Sequence, residues 1–203
     1  MIRHAAVVGL VSVLVASTVE AQGMAGAQQN DHVLQFGLGG GAVVPRTNAR
    51  YQDVLTGATG QAFLLIRPVP GFPALRLGAD YSRMKFGKAQ SGFSEDPLGT
   101  TRTQLGGIAS LRIDLLPGPV KPYVLAGVGA FNIRDAIDPN GNVSATSFST
   151  TQVGLDGGAG LSFRMGRISG FLETRIQNVY TKAAGLIDTK SIQAFPITFG
   201  LIF

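Results

Sequence analysis

The chain has 203 residues, of which 45% are hydrophobic and only 14% charged, with 28 glycines, no cysteine, no tryptophan and a formal charge of +5. Charge this sparse, against about 25% in an average soluble domain, argues against a disordered chain and against an ordinary soluble enzyme. The missing thiols exclude disulfides, thiolate nucleophiles and thiolate metal sites, and the scattered cations offer no stripe for consecutive phosphates of a nucleic acid.

The N-terminal stretch MIRHAAVVGLVSVLVASTVEAQG carries Arg3, an apolar run from Ala5 to Ala16, and small residues at Val19 and Ala21. That order of basic start, apolar middle and small-residue exit predicts a cleaved secretory signal peptide over 1–21, with a second cleavage site as late as Ala27. About a dozen apolar residues is short for the ~20 of a spanning helix. No other stretch comes closer, so membrane residence would have to rest on strands. Residues 28–203 are long enough for one domain, a barrel closed by its own sheet.

Along that domain a period of two recurs and a period of 3.6 does not. Eight segments are predicted as strands, at about 33–44, 59–69, 74–86, 102–116, 121–134, 149–165, 168–182 and 192–203. The first contains GLGGGAVV, which lacks the Gly-Lys-Ser/Thr ending and following helix of a phosphate loop. Its glycines are read as room for close strand contact and bending. In the fourth, Thr103, Leu105, Gly107, Ala109, Leu111, Ile113 and Leu115 oppose Gln104, Gly106, Ile108, Ser110, Arg112 and Asp114. The sixth repeats the split, with Val153, Leu155, Gly157, Ala159, Leu161 and Phe163 on one face and Gln152, Asp156, Ser162 and Arg164 on the other. Such runs exceed the five or six residues of a typical soluble strand and suit a tilted membrane strand.

Connections alternate in length. PGFP at 70–73, PGPV at 117–120 and GR at 166–167 are tight, whereas 45–58, 87–101, 135–148 and 183–191 are longer and more polar. Short turns on one rim and long loops on the other, with an even strand count that puts both termini on the short-turn side, predict an eight-stranded antiparallel up-and-down transmembrane β-barrel. Pro196 stands inside the last strand and implies a lost ladder hydrogen bond or a bulge.

A membrane barrel turns its apolar face outward and its polar face into the lumen. The polar faces carry Arg76, Asp80, Arg112, Asp114, Asp156, Arg164, Glu173 and Arg175, four cations and four anions. Charges in a narrow interior must be paired, so these eight residues are the candidate lumen network. Tyr123, near the short turns, and Phe131, Tyr81 and Tyr180, towards the long loops, are expected on apolar faces as interfacial girdles.

The C-terminal stretch AFPITFGLIF puts Phe195, Ile197, Phe199, Leu201 and Phe203 on one face of an extended strand. This alternation, ending in phenylalanine, resembles the assembly signal of bacterial outer-membrane β-barrels, with Leu201 where that group often has tyrosine. KPYVLAGVGAF and FLETR are similar to the fifth and seventh strands of small porin-like, eight-stranded outer-membrane barrel domains. The resemblance implies residence in the bacterial outer membrane, contact with outer-membrane lipid and insertion by the barrel-assembly machinery through the C-terminal strand.

Catalytic chemistry is sparse. His4 falls in the signal and His32 precedes the first strand at the rim away from the long loops, so the histidine-assisted hydrolysis used by barrel enzymes is not expected. Asp138, Asn140 and Asn142 begin like a calcium loop, but the glycine at the sixth position and the glutamate at the twelfth are missing, and Asn140-Gly141 reads as a turn. No catalytic, cofactor-binding or metal site is expected, and no cofactor. The expected function is a structural or surface-interaction barrel with a side-chain-filled lumen and an unknown extracellular ligand. The alternatives are a narrow channel for small solutes and a periplasmic lipocalin-like binder.

Overall fold

The computed structural model describes residues 33–46, 54–69, 72–85, 101–137, 146–180 and 191–203. The predicted signal segment, His32, the predicted Asn140-Gly141 turn and much of the four long connections lie outside the described residues. Eight strands follow one another: β1 (Leu34–Arg46), β2 (Gly57–Ile66), β3 (Ala74–Lys85), β4 (Thr101–Asp114), β5 (Val120–Ile137), β6 (Thr146–Met165), β7 (Ile168–Tyr180) and β8 (Ser191–Ile202). Each pairs antiparallel with the next and β8 returns to β1, which closes the barrel. All eight predicted segments are therefore present, within a few residues at their ends.

The tight turns follow from local chemistry. β6 runs into β7 through Gly166 and Arg167, with Met165 opposite Ile168 and Gly166 at φ 69°, a left-handed backbone that glycine adopts without a Cβ penalty. The closing seam is tied at the chain end. The Phe203 N–H donates to the Phe36 carbonyl at 2.8 Å, and the Phe36 N–H donates to the Phe203 carbonyl at 3.1 Å.

Pro196 is opposite Val43 of β1 and interrupts the β7–β8 ladder. Pairing runs to Thr174↔Ile197 and resumes at Gln177↔Ala194. The offset is unchanged across the gap, so no residue is inserted: the proline removes ladder contacts without making a bulge.

The distribution of side chains is inverted relative to a soluble barrel. On β4 the exposed positions are Leu105, Gly107, Ala109, Leu111 and Ile113, whereas Gln104, Ser110 and Arg112 are buried. Val153 is 67% and Phe199 69% exposed, while Glu173 is 1% exposed. An apolar belt of this extent needs an apolar solvent. No helix among the described residues is long and apolar enough to cross a membrane, and the barrel crosses with its strands.

Two of the expected girdle residues are elsewhere. Tyr81 and Tyr180 point outward, 47% and 46% exposed, but Tyr123 (1%) and Phe131 (0%) are packed inside the barrel. The reason lies in β5, where Leu125 and Ile133 accompany them on the inner face while Val124, Ala126, Val128 and Ala130 occupy the outer one. Both faces are apolar, so periodicity alone cannot orient the strand; its pairing with β4 and β6 does.

Inward glycines make room for these rings. A Cβ at Gly37 would run into the Phe63 ring, one at Gly39 or Gly200 into Phe171, one at Gly106, Gly129 or Gly154 into Phe131, and one at Gly160 into Tyr123. The GLGGGAVV stretch is thus the wall against which lumen aromatics lie. At Gly41 the obstruction is the Ile197 backbone carbonyl of β8, which cannot yield as a side chain can, whereas the outward Gly107 has no neighbour within 4 Å. Gly41→Ala is expected to lower unfolding stability by about 1–3 kcal/mol and Gly107→Ala to leave it unchanged or raise it by up to about 1 kcal/mol, read as the urea midpoint of the folded, fast-migrating gel band.

Candidate functional site in the lumen

Among the described residues, three apolar clusters and a central charged cluster fill the barrel, with further ion pairs at its rims. Towards the short-turn rim Phe63, Phe171 and Ile202 pack together, the two rings edge to face at 5.5 Å between centroids. Towards the long-connection rim lie Val43, Met84 and Ala194 with Val54, and Ile108, Phe131, Ile133 and Val179 with Ile192. The central charges sit between these two ends.

Glu173 on β7 is the hub. Its Oε2 accepts from the Arg76 guanidinium at 2.7 Å and from the Tyr123 hydroxyl at 2.8 Å; its Oε1 lies 3.3 Å from Arg175 Nε. Arg76 also donates to Gln61 Oε1 at 2.7 Å, Gln61 donates to Thr198 Oγ1 at 2.7 Å, and the Arg76 guanidinium sits 3.9 Å over the Phe63 ring. Arg175 reaches Asp80 at 2.7 Å and Asp156 at 3.4 Å. Gln177 donates to the same Asp80 oxygen at 2.8 Å and accepts from Gln104 at 3.2 Å. The hydrogen-bonded and ion-paired residues therefore span β2, β3, β4, β5, β6, β7 and β8.

Five of the eight candidate residues, Arg76, Asp80, Asp156, Glu173 and Arg175, form this central cluster, and all are buried. Arg112 and Asp114 belong to a second cluster at the short-turn rim. There Arg112 Nε meets Asp114 at 2.8 Å, Arg67 meets it at 2.6 Å, and Arg112 also donates to Ser162 at 2.9 Å. Tyr123 links the two, since Arg112 lies 3.7 Å over its ring while its hydroxyl serves Glu173. Arg164 is the correction. It shares the inner face of β6 but sits one residue from the strand end and is exposed, so the rim leaves it in water rather than in the network. A third pair, Arg102 with Asp135, is bidentate at 2.8 Å for both contacts near the long-connection rim.

Sequence reasoning missed Gln61, Arg67, Tyr123, Gln177 and Thr198. Gln61, Gln177 and Thr198 were legible as polar residues at inward parity, since each sits an even number of positions from a candidate charge or opposes one across the ladder. Arg67 lies within the predicted segment 59–69 at the same parity as Gln61, and in the structure just past the end of β2.

The central cluster sets two guanidiniums against three carboxylates. Asp156 is the least well held carboxylate: its ion pair is the longest, and its Oδ1 accepts no hydrogen bond among the described residues. No group of three or more His, Cys, Asp or Glu among the described residues is arranged to hold a metal ion. Chemically the arrangement is a set of fixed, mutually neutralised charges closed off at both ends by apolar side chains.

No protein-family model matches the sequence, and no curated protein matches it. Solved structures do match. Neisserial surface protein A has 18% identity, covers 84% of this chain and 96% of its own, and gives a TM-score of 0.54. A major outer membrane protein from Thermus thermophilus has 13% identity, covers 85% and 99%, and gives 0.53. The chain has the fold of the small bacterial outer-membrane β-barrels. The apolar belt outside and the charged lumen inside agree with that fold, and the class the structure defines is a closed, membrane-spanning β-barrel.

Removing Arg175 takes the ion-pair partner from the buried Asp80 and Asp156, while Glu173 keeps Arg76. Arg175→Met is expected to cost about 3–5 kcal/mol, and Tyr123→Phe, which takes one hydrogen bond from a carboxylate, about 1.5–3 kcal/mol, both by urea unfolding in detergent. Asp156→Asn is expected to cost less than Asp80→Asn, and to recover part of the Arg175→Met loss in the double variant.

Proposed function

We propose that the protein is a non-conducting, non-catalytic outer-membrane barrel whose task is structural or surface contact, the eight strands serving as a rigid mount for the four long connections. The observation that carries this reading is the filled lumen. An eight-stranded barrel is only wide enough for its own side chains, and here the space holds a charge cluster capped above and below by Phe63, Phe171 and Ile202 and by Phe131, Ile133, Met84 and Val179. A solute would have to break buried ion pairs to pass.

The C-terminal face supports a second element of the reading. Ile197, Phe199, Leu201 and Phe203 are exposed on the outside of β8, with Phe195 half-buried beside them. β8 is the strand that closes on β1, so its outer face is the surface the insertion machinery would read before closure. The extracellular ligand engages residues within the connections 47–56, 86–100, 138–145 and 181–190, which are longer than the opposite connections 67–73, 115–119 and 166–167.

Purified protein reconstituted in planar bilayers is expected to give no sustained current, and protease added to intact cells is expected to cut within the long connections while leaving the barrel whole. A large, steady conductance would overturn the reading in favour of a channel. Cleavage confined to the short turns would overturn the orientation.

A further inference from the structure

On the outer face of β3 to β7, an open apolar groove of about 600 Å³ runs over a floor of Gly107, Ala109 and Ala130, walled by Leu77, Val153 and Tyr180. Small floor residues between larger walls leave a trough in a belt that is otherwise filled by Leu, Val and Phe. Lipid faces it on the reading above.

Above the trough, towards the long-connection rim, the same outward face changes character. Arg83 is opposite Thr103, Thr103 is opposite Arg134, and Arg134 is opposite Ser149, a single row across four strands. One row further out Lys85 is opposite Thr101. Arg83, Lys85 and Arg134 are all exposed. Among the described residues none of the three has a carboxylate partner; Arg134 has only a 3.4 Å contact to the Ser147 hydroxyl. Ala130 and Arg134 are four residues apart on β5, roughly 13 Å of strand.

We propose that this flank binds a phosphate-bearing lipid of the outer leaflet, with an acyl chain in the trough and its phosphate on Arg83, Arg134 and Lys85. Cations at the level of lipid headgroups attract acidic lipids, and guanidiniums pair with phosphate oxygens in a fork that also orients the headgroup. The threonine and serine hydroxyls of the same rows add donors. The occupant is set by charge complementarity: three cations with no carboxylate partner among the described residues, above an apolar trough, fit one amphiphile with an anionic head. The inference rests on membrane residence with the long connections outermost, but it is independent of whether the lumen conducts or the loops bind anything.

The test uses the whole mature protein, folded in neutral detergent, with folding of every variant established by its heat-dependent gel shift. Native mass spectrometry then follows titration with diphosphoryl lipid A and, separately, with phosphatidylcholine. Wild type is expected to retain the phosphorylated glycolipid preferentially. Arg83→Ser with Arg134→Ser is expected to weaken its retention by about thirtyfold and to leave phosphatidylcholine unchanged, whereas Ala130→Phe, which fills the trough, weakens both lipids. Equal retention of the two lipids by wild type, or unchanged retention in the double arginine variant, would overturn the proposal. So would a barrel dimer that Ala130→Phe dissolves while lipid retention stays as it was, since the trough would then serve a second copy of the chain.

Discussion

The constraint on which everything else depends is the solvent outside the barrel. Once lipid surrounds the strands, apolar side chains no longer gain by turning inward, and the polar half of every strand must be satisfied in a space only a few side chains wide. Glu173, Arg76 and Arg175 meet that demand. Their carboxylate and guanidinium groups are out of reach of water, so each must be neutralised by a neighbour. Because the linked polar residues come from seven of the eight strands, the ion pairs and hydrogen bonds together hold the barrel in one register. A slip of one residue at any seam would carry charge into lipid and grease into the lumen.

Filling the lumen raises a second problem, which the glycines solve. Rings such as Phe63, Phe131, Phe171 and Tyr123 are too large to share a narrow interior with side chains on every facing strand. They are accommodated because the facing positions, Gly37, Gly39, Gly106, Gly129, Gly154, Gly160 and Gly200, have no side chain. The result is a stack of apolar, charged and apolar layers. Packed apolar ends exclude water, and in a water-poor middle each ion pair is electrostatically stronger, while a missing partner is correspondingly more costly.

Much of this was legible in the sequence. Strand number, strand positions, the alternating lengths of the connections and the outward face of β4, β6 and β8 all follow from a period of two interrupted by Gly and Pro. The face of β5 was not legible. Tyr123, Leu125, Phe131 and Ile133 on one side and Val124, Ala126, Val128 and Ala130 on the other are equally apolar, and only the ladders to β4 and β6 decide between them. The charges were legible as a set but not as a partition. Parity places Arg112, Asp114 and Arg164 on the inner face, yet distance from the strand end decides whether an inner-face residue is buried in the central cluster, paired at the rim or left in water. The mix of β7 and β8 contacts around Pro196 likewise required the register: the residue signals a disturbed ladder, and only the unchanged offset on either side shows that the disturbance is a gap.

The most direct measurement of the inverted faces exploits the absence of tryptophan from the chain. Single Leu105→Trp, Leu111→Trp, Val153→Trp, Leu172→Trp and Phe199→Trp variants, each folded into phosphatidylcholine vesicles, provide one emitter at a time on β4, β6, β7 and β8. With the apolar face in lipid, every one of them emits at short wavelength and is quenched by brominated acyl chains but not by aqueous iodide. Red-shifted emission quenched by iodide at these positions would mean that the greasy face meets water, and that the barrel is not a membrane-spanning one.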